Sequence, residues 1–80
     1  MTVADRVLLA LTDVAETDEV VHDPDLRLFD EGVLDSLATV QLIVALEQEF
    51  GLQISPAALD REDWATPRKI VAFVEQRVTA

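Results

Sequence analysis

Asp35 and Ser36 are the residues of this chain best placed to do chemistry. They lie in the run Leu28-Phe29-Asp30-Glu31-Gly32-Val33-Leu34-Asp35-Ser36-Leu37, which passes directly into an uninterrupted helical pattern. A serine at such a loop-to-helix boundary is exposed, oriented and close to the positive end of a helix dipole. That position suits an attached phosphodiester. It does not suit unaided nucleophilic catalysis, because the single histidine, His22, sits in an acidic stretch with no base-and-orienter pair around Ser36. No catalytic residue is assigned, and His22 is expected to be solvated.

The elements that must position Ser36 follow from periodicity and from start and stop signals. Thr2-Val3-Ala4-Asp5 has the form of a capping box, with Asp in place of Glu. Val3, Val7, Leu11 and Val14 then recur at helical spacing with Leu8 beside them, giving a first helix from about Val3 to Ala15. A long acidic loop runs from Glu16 to Gly32, broken by Pro24, and Leu26, Leu28 and Phe29 are expected to pin it to the core. A loop of that length should be functional or locally ordered. The second main helix runs from about Ser36 to Phe50, with Asp35 as N-cap and Gly51 just past its end. Ser55-Pro56 reads as the start of a short turn, and Thr66-Pro67 as the start of a last helix ending near Val78. In that helix Ile70, Phe73 and Val74 should face inward, with Val78 one turn further on. The chain is therefore expected to be all-α, with three main helices, one short helix and a long loop between the first two. Residues 1–80 are read as one domain.

Charge narrows the partners. Sixteen acids face six bases, for a net charge of −10, and nine of the acids lie between Asp13 and Asp35 with only Arg27 among them. Phosphate contacts need Lys and Arg, so neither nucleic acid nor an anionic membrane is an expected direct partner. Basic proteins are favoured, although acidity also serves solubility alone. The chain has no cysteine, hence no disulfide or thiolate-bound zinc. Asp23-Pro24-Asp25-Leu26-Arg27-Leu28 lacks the third acid and the Gly of an EF-hand loop, so no metal site is expected. No apolar run approaches the roughly 18 residues of a membrane span, and the first residues do not resemble a signal peptide. A cytoplasmic monomer is expected.

On a helical wheel Leu42, Ile43, Leu46 and Phe50 gather on one side of the second main helix. Leu37, Val40, Gln41 and Val44 gather nearly opposite. A helix at the surface of a small domain needs one apolar stripe. The second stripe is either a partner-recognition face or the mark of a helix buried on both sides, and periodicity does not choose between them.

The stretch Asp35-Ser36-Leu37, followed by Thr39-Val40-Gln41-Leu42 and Ala45-Leu46-Glu47, resembles the attachment region of phosphopantetheine-dependent carrier proteins. The resemblance covers nearly the whole chain. It implies a four-helix carrier bundle in which Ser36 bears a covalent 4′-phosphopantetheine arm. It also implies that Leu37, Val40, Gln41 and Val44 face partner enzymes, and that Asp35 helps coordinate the metal of the priming transferase. No acid occurs between Ser36 and Glu47, unlike the acidic recognition helix of fatty-acid carriers. Leu59-Asp60-Arg61-Glu62-Asp63-Trp64-Ala65-Thr66-Pro67 is similar to the Phe-Asp-Arg-x-x-Trp-x-Thr-Pro stretch of D-alanyl carrier proteins. Trp64 belongs to this motif and is grouped with the partner-facing residues, although packing is the commoner role of such a residue. Asp60 to Asp63 reads on its own as a solvated turn.

That closer resemblance implies three partners. They are a phosphopantetheinyl transferase, an ATP-dependent amino-acid adenylating ligase, and a downstream acyltransferase of teichoic acid D-alanylation. Leu37 stands where D-alanyl carriers commonly have Phe or Met, and Leu59 replaces the Phe of the later motif. Discrete aminoacyl or peptidyl carriers of natural-product pathways look similar and form an alternative. Without the resemblance, the same features describe an unmodified acidic adaptor that binds a basic protein through Leu37, Val40 and Val44.

Overall fold

Thr2 and Asp5 begin the first helix by exchanging hydrogen bonds. The Asp5 N–H donates to Thr2 Oγ1 at 3.1 Å and the Thr2 N–H to Asp5 Oδ2 at 3.3 Å. This capping box starts α1, Val3–Ala15, in the computed structural model, which describes residues 2–55 and 60–78. Val7 and Leu11 are fully buried along α1, and Val3 and Val14 pack at the margin of the core. The helix ends at Glu16 in the left-handed region (φ 58°), whose N–H closes on Thr12 O.

The long acidic loop is locally ordered. It holds a one-turn helix, α2 (Glu19–His22), which buries Val20 beneath it. Four residues are too few to show a helical period, so periodicity reads this stretch as loop. Leu28 is the loop's anchor. Its side chain is fully buried, its N–H donates to Ala65 O at 2.9 Å, and its carbonyl accepts from Val33 at 2.8 Å and Leu34 at 3.0 Å. Gly32 (φ 72°) makes the left-handed bend that folds the chain back onto that carbonyl. Leu26 and Phe29 pack against the same core, as expected.

Asp35 then caps α3, Ser36–Phe50, its Oδ1 accepting from the Ala38 N–H at 2.8 Å. Gly51 (φ 67°) ends α3 by returning its N–H to Glu47 O. The turn expected from Ser55-Pro56 lies in residues 56–59, outside the described residues. Asp60 to Asp63 is more ordered than a solvated turn. Asp60 Oδ1 accepts from the Glu62 N–H and starts a 3-10 helix, Arg61–Trp64, with exposed acids and a buried Trp64. Thr66 Oγ1 accepts from the Lys69 N–H at the start of α4, Pro67–Val78.

Ile70 and Val74 of α4 are fully buried against Leu11, Leu42, Leu46 and Trp64, and Phe73 meets the Trp64 ring edge-on at 5.6 Å. Val78 departs from the expected inward stripe. It is 39% exposed, because the core has already closed over Val74 one turn earlier. The described residues are all helix, turn and loop with no strand, in agreement with an all-α carrier bundle. The radius of gyration, 11.3 Å, is close to the ~11.6 Å of a compact chain this long, so the loop lies against the helices.

Candidate functional site

Ser36 is the first residue of α3. It is exposed, and its hydroxyl makes no hydrogen bond among the described residues. Two neighbouring interactions hold its backbone. Asp35 Oδ1 takes the Ala38 N–H, and the Thr39 hydroxyl donates to the Asp35 carbonyl at 2.7 Å. The hydroxyl is thus presented at a doubly braced helix start. His22 is far from forming a catalytic pair with it; it is exposed on α2, with Nε2 3.6 Å from Asp18 Oδ2 of the same turn.

Beside Ser36 opens a cleft of about 330 Å³. Ser36, Thr39 and Val40 of α3 form one wall, Phe29 of the loop another, and Arg61 and Trp64 of the 3-10 helix the third. The Arg61 guanidinium lies 4.6 Å from the centroid of the Phe29 ring, bridging loop and 3-10 helix across the cleft. Trp64 is 1% exposed, and its Nε1–H is buried without an acceptor among the described residues.

The structure decides between the two readings of α3. Leu42, Ile43 and Leu46 are buried, whereas Leu37, Val40 and Val44 are 67%, 49% and 44% exposed, with Gln41 exposed between them. The second stripe is therefore a solvent-facing apolar surface that begins at the serine. Trp64 does not join it. Its placement with the partner-facing residues is corrected: the indole packs inside, against Phe73, and supports the cleft from below. Arg61, Phe29 and Thr39 belong to the site and were missed. Only Thr39, four residues from Asp35, could have been found from local spacing.

Two carboxylates outside the cleft lining are paired. Arg68 makes a two-point contact with Asp25 (Nε–Oδ1 3.0 Å, Nη2–Oδ2 3.3 Å) and holds its carboxyl below the usual carboxylate range. Lys69 Nζ donates to Glu62 Oε1 and does the same to Glu62. No group of three or more potential metal ligands occurs among the described residues.

Comparison with known proteins agrees with this geometry. The family model described as phosphopantetheine attachment site matches residues 5–74. The D-alanyl carrier protein of Enterococcus faecalis is 49% identical over 75 residues, 94% of this chain and 96% of that protein. The D-alanyl carrier protein of Listeria monocytogenes serotype 4b is 43% identical over the same shares of each chain. That of Staphylococcus saprophyticus is 43% identical over 76 residues, 95% of this chain and 97% of its own.

The family's cofactor is 4′-phosphopantetheine, covalently bound to a serine. An exposed hydroxyl, unbonded among the described residues and beside a cleft, is a surrounding into which such a group fits. Members are acyl carriers rather than catalysts, and they work with a phosphopantetheinyl transferase and acyl-activating ligases. No described helix is long and apolar enough to cross a membrane. With the match spanning nearly the whole chain and the fold agreeing with it, the chain belongs to the phosphopantetheine-dependent carrier-protein family, with D-alanyl carrier proteins among its relatives.

Proposed function

We infer that this protein is an aminoacyl carrier whose 4′-phosphopantetheine is attached at Ser36. The observation that carries the reading is the placement of Ser36: an exposed hydroxyl at the braced start of α3, adjoining an exposed apolar face. The chain's only other serine is Ser55, which precedes Pro56. In priming, Ser36 Oγ loses its proton and forms a P–O bond while the nucleotide half of coenzyme A leaves. Asp35 Oδ1 accepts from the Ala38 N–H, and Oδ2, without a hydrogen bond among the described residues, would be the atom offered to the metal of the priming enzyme. When bound, the cofactor supplies a thiol that holds an acyl group as a thioester. The protein's own share is to tether that cargo, raising its effective concentration at each partner in turn.

D-alanine is the cargo favoured by the relatives' names and by Asp60-Arg61-Glu62-Asp63-Trp64-Ala65-Thr66-Pro67. The partners would then be an amino-acid adenylating ligase and an acyltransferase of teichoic acid D-alanylation, in a single cytoplasmic domain spanning residues 1–80. Leu37, at a position where D-alanyl carriers commonly have Phe or Met, favours the alternative of a natural-product aminoacyl carrier.

Intact-mass measurement after incubation with coenzyme A and a broad-specificity phosphopantetheinyl transferase tests the attachment. The wild type and Ser55→Ala should each gain one arm and Ser36→Ala none. Equal gain by Ser36→Ala would overturn the reading and leave the unmodified adaptor in its place. Holo protein offered to adenylating ligases should accept D-alanine in preference to fatty acids, read by the same mass method.

A further inference from the structure

Arg61 stands apart from the other bases of this acidic chain. Arg6, Arg27, Arg68 and Lys69 each pair with a carboxylate. Arg77 donates to Phe73 O in its own helix. Arg61 has no oxygen partner among the described residues, although Asp60 and Asp63 lie close to it in sequence; its contact is the face of Phe29. A guanidinium stacked on an aromatic ring is held in one plane while its N–H donors stay available. In a chain of net charge −10, a base that ignores its acidic neighbours and lies across a cleft is an unused cation. That cleft is the one Ser36 lines.

We propose that Arg61 is a positioning residue for the prosthetic arm: its guanidinium donates to the free oxygens of the phosphodiester on Ser36 and holds the start of the arm across the cleft. The inference rests on attachment at Ser36. A phosphodiester presents two non-bridging oxygens that share one negative charge, and these match the planar fork of Arg better than the point charge of Lys. Asp60 lines the same cleft and repels that anion, so without Arg61 the cleft would be acidic and would turn the arm outward.

NMR of apo and holo protein tests this. The Arg61 side-chain N–H signals should shift between the two forms of the wild type. In holo Arg61→Gln the phosphodiester ³¹P resonance should move toward its position in urea-unfolded holo protein. Arg61→Lys should restore part of that displacement, and Arg77→Gln should cause none. A ³¹P position unchanged in a folded Arg61→Gln variant overturns the proposal. If that variant does not fold, unshifted Arg61 signals in the wild type overturn it instead. Loss of Phe29 stacking alone would alter apo and holo equally and would leave the phosphorus where it was. No mass gain by the wild type defeats attachment itself, whereas mass gain without any phosphorus response defeats only the role of Arg61.

Discussion

At the scale of single residues, the Asp35 carboxylate caps α3 and, in the proposed function, also serves priming. Its Oδ1 caps α3 through the Ala38 N–H. Replacing such a cap by Ala costs about 1 kcal/mol, which lowers the melting temperature of a domain this size by roughly 4–8 °C. Asp35→Asn keeps the acceptor and should melt within a degree or two of wild type, while priming slows because the charge offered to the transferase's metal is gone. Circular dichroism melts and priming rates on the two variants separate the roles. Caps such as Asp35, Thr2 and Gly51 are legible in sequence because donor and acceptor lie within four residues of each other. Arg61 was not. Its partner is Phe29, which only the tertiary fold brings alongside, and its text neighbours are acids that invite a local pairing the structure does not make.

At the scale of elements, α3 has two apolar sides with different fates. Leu42, Ile43 and Leu46 join the core, and Leu37, Val40 and Val44 stay in water. A helix wheel displays both stripes but cannot say which meets another helix; α1 closes on only one of them. An Asp at a half-exposed position remains solvated, so Val40→Asp and Val44→Asp should leave the helical signal unchanged. Both should reduce ligase loading of holo protein severalfold, since a desolvated charge would face an apolar dock. Loading assays with purified ligase check this; normal kinetics would place the dock elsewhere. The three long helices were legible from period and caps, to the residue at both ends of α1 and α3. The one-turn α2 and the 3-10 helix were not, because segments of four residues are set by what they pack on, Val20 and Trp64, rather than by any repeat.

At the scale of the whole molecule, the acidic loop is held to α4 by side chain and backbone together. Asp25 grips Arg68, and the Arg68 N–H donates to Pro24 O at 3.0 Å. Arg68 lowers the Asp25 carboxyl from its ordinary 3.8, and Lys69 lowers Glu62 from 4.5. An acid depressed by folding stabilises the native state above its unfolded value and loses that contribution as pH falls through the lowered one. These two pairs should therefore contribute from neutral pH down to the low fours and fade below. Both are exposed, so the effect is small. The melting-temperature gap between wild type and Arg68→Gln should persist from pH 7 to pH 5 and shrink below pH 4. Melts across that range check it, and a gap independent of pH would assign the role of the Arg68 side chain to packing alone.

The same ties decide when the serine's surroundings come into being. Ser36 and its caps are local and can form as soon as α3 does. The cleft beside it needs Leu28 joined to Ala65, and Asp25 joined to Arg68, 43 residues away along the chain. A chain still emerging from a ribosome thus has the Ser36 hydroxyl, the proposed attachment point, before it has the wall that Arg61 and Trp64 supply. The unfinished chain presents the serine without its cleft, and the two are joined only once the segment through Arg68 has emerged.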